Sequence, residues 1–542
     1  MATSLATPGV YIEEKNAFPN SVAGIPTAIP AFIGYTEKVS RNGQSLINKP
    51  VRISSLAEYH ATFGGAFRNT FSIKPATGEE FDFELDGNTY QLAPDHESPF
   101  IFYNSIRLFF ANGGSTCYIV SAGAYYSNET VANKSASSGA NSGKDDKSGK
   151  GNDKSAAAAA SSPTTTTVRK ANTISKKSLE NGITALISEE EPTMLVIPEA
   201  VMLEEADCSA LQQAMLMHCG FKMRNRFAIL DVYNGTQSRT YDETDVITRF
   251  RNNIGMNQLN YGAAYYPWVL TSIVQNDEVS YSNISNLDVL EQVLNKEADT
   301  NADNPKKAEE IKNEIKKLKD SNTNEESLSQ TLKVISPTFK NILDRVKQNL
   351  NILPPSAGMA GIYSMVDNSR GVWKAPANVG YSNVISPVVK LTHDDQEDLN
   401  VTVSGKSVNA IRSFIGEGTV VWGARTLDGN SQDWRYINVR RTLIFIEQSI
   451  KYAAKTYVYE ANASNTWVLV KSMISSFLND LWKQGGLVGT NPGDAYEVQV
   501  GLGSTMTPND VLDGVMRITV KVAVSRPAEF IVITFQQKQQ ES

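Results

Sequence analysis

With 542 residues the chain is longer than one ordinary hydrophobic core serves, so roughly two to four domains are expected. A hydrophobic fraction of 41%, a charged fraction of 20% and a net charge of −7 describe a soluble globular protein. They exclude the basic footprint of a nucleic-acid binder and the polybasic patch of a membrane-surface protein.

At the start of the chain, Met1 to Pro8 has neither a positive n-region nor an apolar h-region, so no Sec-type signal peptide is expected. Gly9-Val10-Tyr11-Ile12 follows a Pro-Gly turn and has strand chemistry. From Lys134 to Thr167 a Ser/Gly/Lys/Asp/Ala mixture ends in a threonine run. Such a composition buries too little apolar surface to offset its ordering entropy, and it predicts a flexible surface loop. Leu195-Val196-Ile197-Pro198 and Phe227-Ala228-Ile229-Leu230-Asp231 read as buried strands, and Cys208 to Cys219 between them reads as a helix. Strand, helix, strand in this order predicts an α/β unit with a partly parallel sheet.

The segment from Asn283 to Leu353 predicts a peripheral helical insertion. Ile311, Ile315 and Leu318 share one stripe, and Phe339, Leu343, Val346 and Leu350 another. Asn304-Pro305 and Ser336-Pro337 each offer an N-cap followed by proline at the first helical position. Further on, Val439, Leu443, Ile446 and Ile450 mark one helix. Trp467, Ile474, Leu478 and Leu481 mark another, stopped by Gly485-Gly486. Ile518, Val520, Val522 and Val524 alternate with polar residues as in a half-buried strand, and Phe530 to Phe535 predicts a last strand before the polar tail Gln536 to Ser542. Strands so near the ends pair either within their own domain or with an open sheet edge of a neighbouring molecule, and periodicity leaves both readings open. No stretch approaches the length of apolar chain that spans a bilayer, and no fixed-period repeat is present.

The motifs of chemistry are missing. No phosphate-loop string occurs; Gly501-Leu502-Gly503 has Met506 where a third glycine belongs, and Gly416-Glu417-Gly418 fails likewise. No nucleophile elbow occurs, the nearest string being Gly113-Gly114-Ser115-Thr116-Cys117. The four histidines, His60, His96, His218 and His393, form no H-E-x-x-H motif. The three cysteines, Cys117, Cys208 and Cys219, form neither a C-x-x-C motif nor a disulfide framework and fit a reducing compartment during synthesis. His218-Cys219 with Cys208 reads as a buried helix face ahead of a zinc site. His393-Asp394-Asp395 with Glu397 and Asp398 reads as a loop or helix start ahead of a cation site. No catalytic, cofactor-binding or metal residue is singled out, and no cofactor is expected. An α/β hydrolase or nucleotide-binding enzyme is the alternative in another class, and it lacks every motif its chemistry needs. A static, non-contractile assembly protein is the less specific one.

Several strings, in order, resemble the contractile tail sheath family of myophage tails, R-type bacteriocins and extracellular contractile injection systems. These are Thr7-Pro-Gly-Val-Tyr-Ile-Glu-Glu14, Val22-Ala-Gly-Ile-Pro-Thr-Ala28, Ala31-Phe-Ile-Gly34, Ser105-Ile-Arg-Leu-Phe-Phe-Ala-Asn-Gly-Gly114 and Cys117-Tyr-Ile-Val120. They continue with Tyr265-Tyr-Pro-Trp268, Pro354-Pro-Ser356, Ala360-Gly-Ile-Tyr363, Arg370-Gly-Val-Trp-Lys-Ala-Pro-Ala-Asn378 and Asn409-Ala-Ile-Arg412. Val421-Trp-Gly-Ala-Arg-Thr-Leu427, Trp434-Arg-Tyr-Ile-Asn-Val-Arg-Arg441 and Arg526-Pro-Ala-Glu-Phe530 complete the set. Only the segments 134–167 and 283–353 depart from the pattern.

The resemblance implies a mixed α/β, multidomain sheath fold with a subtilisin-like middle domain that lacks catalytic residues. It also implies an α/β C-terminal domain and extended terminal arms. The expected division is an N-terminal linking arm at 1–22, an N-terminal sheath region at 23–125 and a flexible insertion at 126–168. A middle domain follows at 169–424 with the helical insertion 283–353 inside it, then a C-terminal domain at 425–526 and a C-terminal linking arm at 527–542. Thr7, Pro8, Gly9, Val10, Tyr11 and Ile12 of one arm, and Phe530, Ile531, Val532, Ile533, Thr534 and Phe535 of the other, fall where the family's inter-subunit strands fall. The implied partners are further copies of the chain in stacked six-membered rings forming a helical homopolymer, an inner tube protein, and baseplate and terminal cap proteins. Nucleic acid and membrane insertion are not implied. The implied setting is the bacterial or host cytoplasm during assembly, then a tail or tail-like particle that is extracellular after lysis.

Overall fold

The computed structural model describes residues 22–76, 78, 81–95, 99–132, 165–301, 304–320 and 322–533. The expected arm residues Thr7 to Ile12, Thr534 and Phe535 lie outside the described residues, as do residues 133–164 of the expected loop.

Short, mostly apolar runs become the inner strands of one central sheet, both of whose faces are covered. In spatial order the strands are Val379–Gly380, Gly418–Trp422, Asn409–Phe414, Gly262–Tyr266, Phe227–Asp231, Met194–Val196, Pro30–Thr36, Cys117–Ala124 and Val51–Ile53. The run from Asn409–Phe414 to Cys117–Ala124 is parallel, and antiparallel strands close both edges. Alternation along each strand divides the core. Ile33, Leu195, Leu230 and Tyr266 face one side, where helices Lys176–Ala185, Glu205–Met217 and Val246–Asn253 pack. Phe32, Val196, Ile229 and Tyr265 face the other, against helices Phe102–Ala111 and Ser356–Arg370. The expected α/β class is therefore realised as a doubly covered, mostly parallel sheet.

Strands of the expected 23–125 region and of the expected middle domain lie side by side in this sheet. Pro30–Thr36 sits inside the sheet, hydrogen-bonded to Met194–Val196 on one side and Cys117–Ala124 on the other, so the two regions share one sheet. Sequence patterning sees local elements, whereas sheet membership is decided by long-range pairing.

The expected helical insertion packs against a partner far away in sequence. Helices Leu287–Asn301, Pro305–Lys316, Glu325–Ile335 and Pro337–Leu350 form as the stripes predicted. Asn304 Oδ1 accepts from Lys307 N, and Ser336 Oγ from Phe339 N, so both predicted caps are made. These helices bury Ile315, Leu332, Phe339 and Val346 against Phe71, Ile73, Phe83 and Leu92. The latter belong to a three-stranded sheet of Phe71–Pro75, Asn88–Pro94 and Phe83–Leu85. One lobe is thus built from two segments about two hundred residues apart, and Asn286 ties them by accepting from Ile73 N and donating to Ile73 O.

The described residues flanking the expected flexible segment pair with each other. Tyr126–Ala132 and Thr165–Ala171 pair as an antiparallel ribbon, so the threonine run ends in a strand, which suits its β-branched residues.

The C-terminal unit packs helix Ile437–Ala454 and helix Ser464–Lys483 against a ribbon of Tyr496–Val500 and Ile518–Val522. Val470, Met473, Ile474, Leu478 and Leu481 make the buried stripe of the second helix. That helix ends in a Schellman turn: Gly486 N donates to Leu481 O, and Gly485 adopts φ +81, a conformation only glycine takes without strain. Among the described residues, no helix is long and apolar enough to cross a membrane.

Candidate functional site at the roots of the terminal segments

Helix Ile437–Ala454 is the element on which both ends of the described chain are fastened. Its residues reach three cores: Ile437 and Ile444 lie on opposite faces of the central sheet, and Ile446 lies in the C-terminal unit. Val22 is buried with Ile446 in that unit, and Gly24 lies against Phe445 so closely that a Cβ would meet the ring at 3.0 Å. Ile25 N donates to Ser449 Oγ at 3.2 Å, and Arg441 Nη2 donates to Thr27 O at 3.0 Å. The incoming chain thus descends the helix before entering the sheet at Pro30.

Arg441 is held in turn by Asp367 of helix Ser356–Arg370, at 2.8 Å and 2.5 Å. Burial raises the Asp367 carboxyl above its ordinary range, and the guanidinium opposes that rise. Two charges leave water here together, which is tolerable only because each oxygen is paired.

One turn earlier on the same helix the outgoing chain is fastened. Asn438 Nδ2 donates to Ser525 O at 3.0 Å and to Trp373 O at 2.9 Å. Glu529 then accepts from four donors: Arg425 Nε at 2.9 Å, Arg425 Nη2 at 2.7 Å, Asn400 Nδ2 at 2.7 Å and Tyr436 Oη at 3.0 Å. Burial favours the neutral acid, but the hydrogen bonds from Arg425 and Asn400 outweigh it and hold the carboxyl below its usual range. Arg425 is itself positioned through its backbone, with N donating to Asn409 Oδ1 and O accepting from Asn409 Nδ2, both at 2.8 Å.

Beyond this anchor the described residues 530–533 form no helix or strand. Phe530, Ile531, Val532 and Ile533 are 69%, 79%, 88% and 70% exposed and belong to no strand. The described part of the expected last strand, Phe530 to Ile533, is thus unpaired in the single chain. The ribbon Tyr496–Val500 and Ile518–Val522, in register Val498 to Val520, pairs with no further named strand among the described residues.

The other sequence candidates resolve into structural roles. His218 Nε2 contacts Arg226 Nη1 at 3.0 Å, and burial followed by that guanidinium pushes the imidazole down to about 3. Burial pushes the Cys208 and Cys219 thiols up to about 12. His393 opens helix His393–Asn400, whose N-cap Thr392 forms a capping box with Asp395, while Asp398 pairs with Arg239 and Arg251. Ser356 Oγ donates to Asp231 at 2.5 Å at the start of its helix, and both residues are buried. Sequence reasoning missed the anchors Arg425, Glu529, Asp367 and Arg441. Several lay inside strings quoted for their order, but only the fold makes partners of residues so far apart.

With that geometry in place, residues 430–538 match the phage tail sheath C-terminal domain. The chain is 27% identical over 212 residues to the tail sheath protein of Vibrio phage KVP40, and 22% identical over 210 residues to that of Enterobacteria phage T4. Each stretch covers 39% of this chain and 30% of the phage protein, so the alignment spans under a third of those relatives. Along nearly the whole chain the structure is similar to the contracted sheath of the extracellular contractile injection system PVC, with a TM-score of 0.56, 26% identity and 99% of both chains covered. It is likewise similar to the contracted helical sheath of the anti-feeding prophage, with a TM-score of 0.57, 25% identity and 99% and 100% covered. The resemblance drawn from the ordered strings is borne out, and the fold is that of contractile sheaths.

Proposed function

We propose that this chain is the sheath subunit of a contractile phage-tail-like particle. It polymerises around an inner tube in an extended, metastable state and then shortens to drive the tube through a target envelope. What carries the reading is the similarity, over 99% of the chain, to a sheath in its contracted state. The role is mechanical, and no catalysis is assigned to it. The free energy of contraction is that of a rigid-body exchange between two sets of interfaces, so no nucleotide is called for.

The arms supply the linkage. Phe530–Ile533 leaves a carboxylate held by four hydrogen bonds and presents unpaired backbone with apolar side chains. The Tyr496–Val500 and Ile518–Val522 ribbon is half-buried, and a two-stranded ribbon of this kind is marginal alone. Strand addition to its edge by a neighbour's arm would complete it, with the N-terminal segment around Thr7–Ile12 as a second donor. Main-chain pairing stays intact while the domains either side reorient, and a heterologous contact that does not close builds a helix of subunits. Ring number, inner tube, baseplate and cap contacts, and cytoplasmic assembly before release belong to the same proposal.

Co-expression with the neighbouring tube and baseplate proteins, followed by negative-stain imaging, tests it. Long hollow cylinders with a shorter, wider form after urea or acid treatment are expected. Dispersed monomers under conditions where the tube polymerises would overturn it, and cylinders of a single length would favour a static assembly.

A further inference from the structure

Beside the anchored carboxylate lies an open cleft of about 870 Å³. Helix His393–Asn400 and strand Gly418–Trp422 form its walls, and the outgoing chain forms its rim. Val401, Trp422, Phe530 and Ile531 line it, and all four are classed as exposed, Val401 at 54% and Trp422 at 38%. Apolar side chains gathered round a concavity of this size are a docking signature.

We infer that this cleft seats the same neighbouring copy of the chain that accepts the C-terminal arm, making the arm and the cleft one continuous interface. The inference rests on the sheath reading above. Its argument is reach. Glu529 is fixed to the cleft wall through Arg425 and Asn400, so the free arm starts at the rim. Phe530 to Ile533 spans only about 13 Å when extended, and a paired strand lies about 5 Å from its partner. Any copy that pairs with these four residues is therefore brought against the cleft mouth. A second copy placed there would remove Val401 and Trp422 from water together with Phe530 and Ile531. An arm that paired without covering the cleft would leave this surface wet in the polymer.

The test uses the full-length chain co-expressed with its tube and baseplate proteins. Val401→Asp and Trp422→Ser are made singly, alongside a truncation after Glu529 and the control Val334→Asp, an exposed site in the helical lobe. The first two are expected to lower cylinder yield about ten-fold with an unchanged monomer melting curve, and the control to leave yield unchanged. A photo-crosslinking amino acid at position 401 is expected to join two copies of the chain in cylinders and none in monomers; this arm decides the matter if Val401→Asp misfolds. Wild-type yields for both variants, or a crosslink from position 401 to the tube protein, would overturn the cleft inference while leaving the arm reading standing. Normal long cylinders from the truncation would overturn the arm reading itself.

Discussion

Arg425 and Glu529 meet in a two-point contact, Nε to Oε1 at 2.9 Å and Nη2 to Oε2 at 2.7 Å, with the guanidinium side chain 4% and the carboxylate 20% exposed. The contact joins the end of the sheet-bearing region to the last anchored residue of the C-terminal unit, a separation of 104 residues. It decides where the terminal segment leaves the molecule. Glu529→Ala leaves a buried guanidinium without its counter-charge, and a loss of roughly 3 kcal/mol is expected in denaturant unfolding of the monomer. Glu529→Gln keeps part of the hydrogen bonding and is expected to fall between that variant and the wild type.

Arg441 and Asp367 form the corresponding pair at the incoming chain, 4% and 1% exposed. Arg441→Met strands a buried carboxylate and is expected to cost about 3–5 kcal/mol. Adding Asp367→Asn to it removes the stranded charge and is expected to recover most of that loss. Equal stability of the single and double variants would show that the cost comes from packing or from the lost Thr27 contact.

Two carboxyls face the other way. Burial pushes Glu199 up to about 8, against the N–H groups of Tyr35 and Phe102, and pushes Asp231 up to about 7, against hydrogen bonds from Ser356. Glu199 follows a strand of the central sheet and Asp231 ends one, and each accepts a backbone N–H at the start of a helix on the same face. A carboxyl whose folded value lies above its unfolded value, about 4, gives stability that is complete below that value and lost as pH rises through the folded one. The thermal midpoint is therefore expected to fall between about pH 5 and pH 8.5. Glu199→Gln is expected to flatten the upper part of that slope and Asp231→Asn the lower, read by calorimetry across the range.

The helical lobe gives a prediction about connectivity. Ile73 lies in the small sheet and packs with Leu332 and Phe339 of the helices. Ile73→Ala is expected to cost about 2–5 kcal/mol locally and to speed amide exchange in 287–350, with the central sheet unaffected. Exchange confined to the small sheet would separate the two segments.

Much of this architecture was legible because its cause is local. The caps at Asn304 and Ser336, the stripe of Ile474, Leu478 and Leu481, the glycine stop at Gly485 and the strand Phe227–Asp231 follow from side-chain chemistry within a few residues. What periodicity missed depends on distant pairing. Nothing near Phe71 announces helices more than two hundred residues later, and nothing near Pro30 announces that its strand lies between Met194–Val196 and Cys117–Ala124. The anchors escaped for the same reason. Glu529 looks like a surface acid beside a proline until the fold brings Arg425, Asn400 and Tyr436 to it.

Both fastenings sit on helix Ile437–Ala454 and its cap, Tyr436 for the outgoing chain and Arg441 for the incoming one. Five helical residues amount to about 8 Å. In a polymer linked through its ends, tension passing from one neighbour to the next would cross this helix and the Arg425, Asn400 and Glu529 cluster beside it in each copy. The helical lobe would hang beside the load path as side-slung cargo. Parts that carry no pull can be enlarged or exchanged without weakening the cable, and the helices of 283–353, a segment that departs from the sheath pattern, lie among those parts.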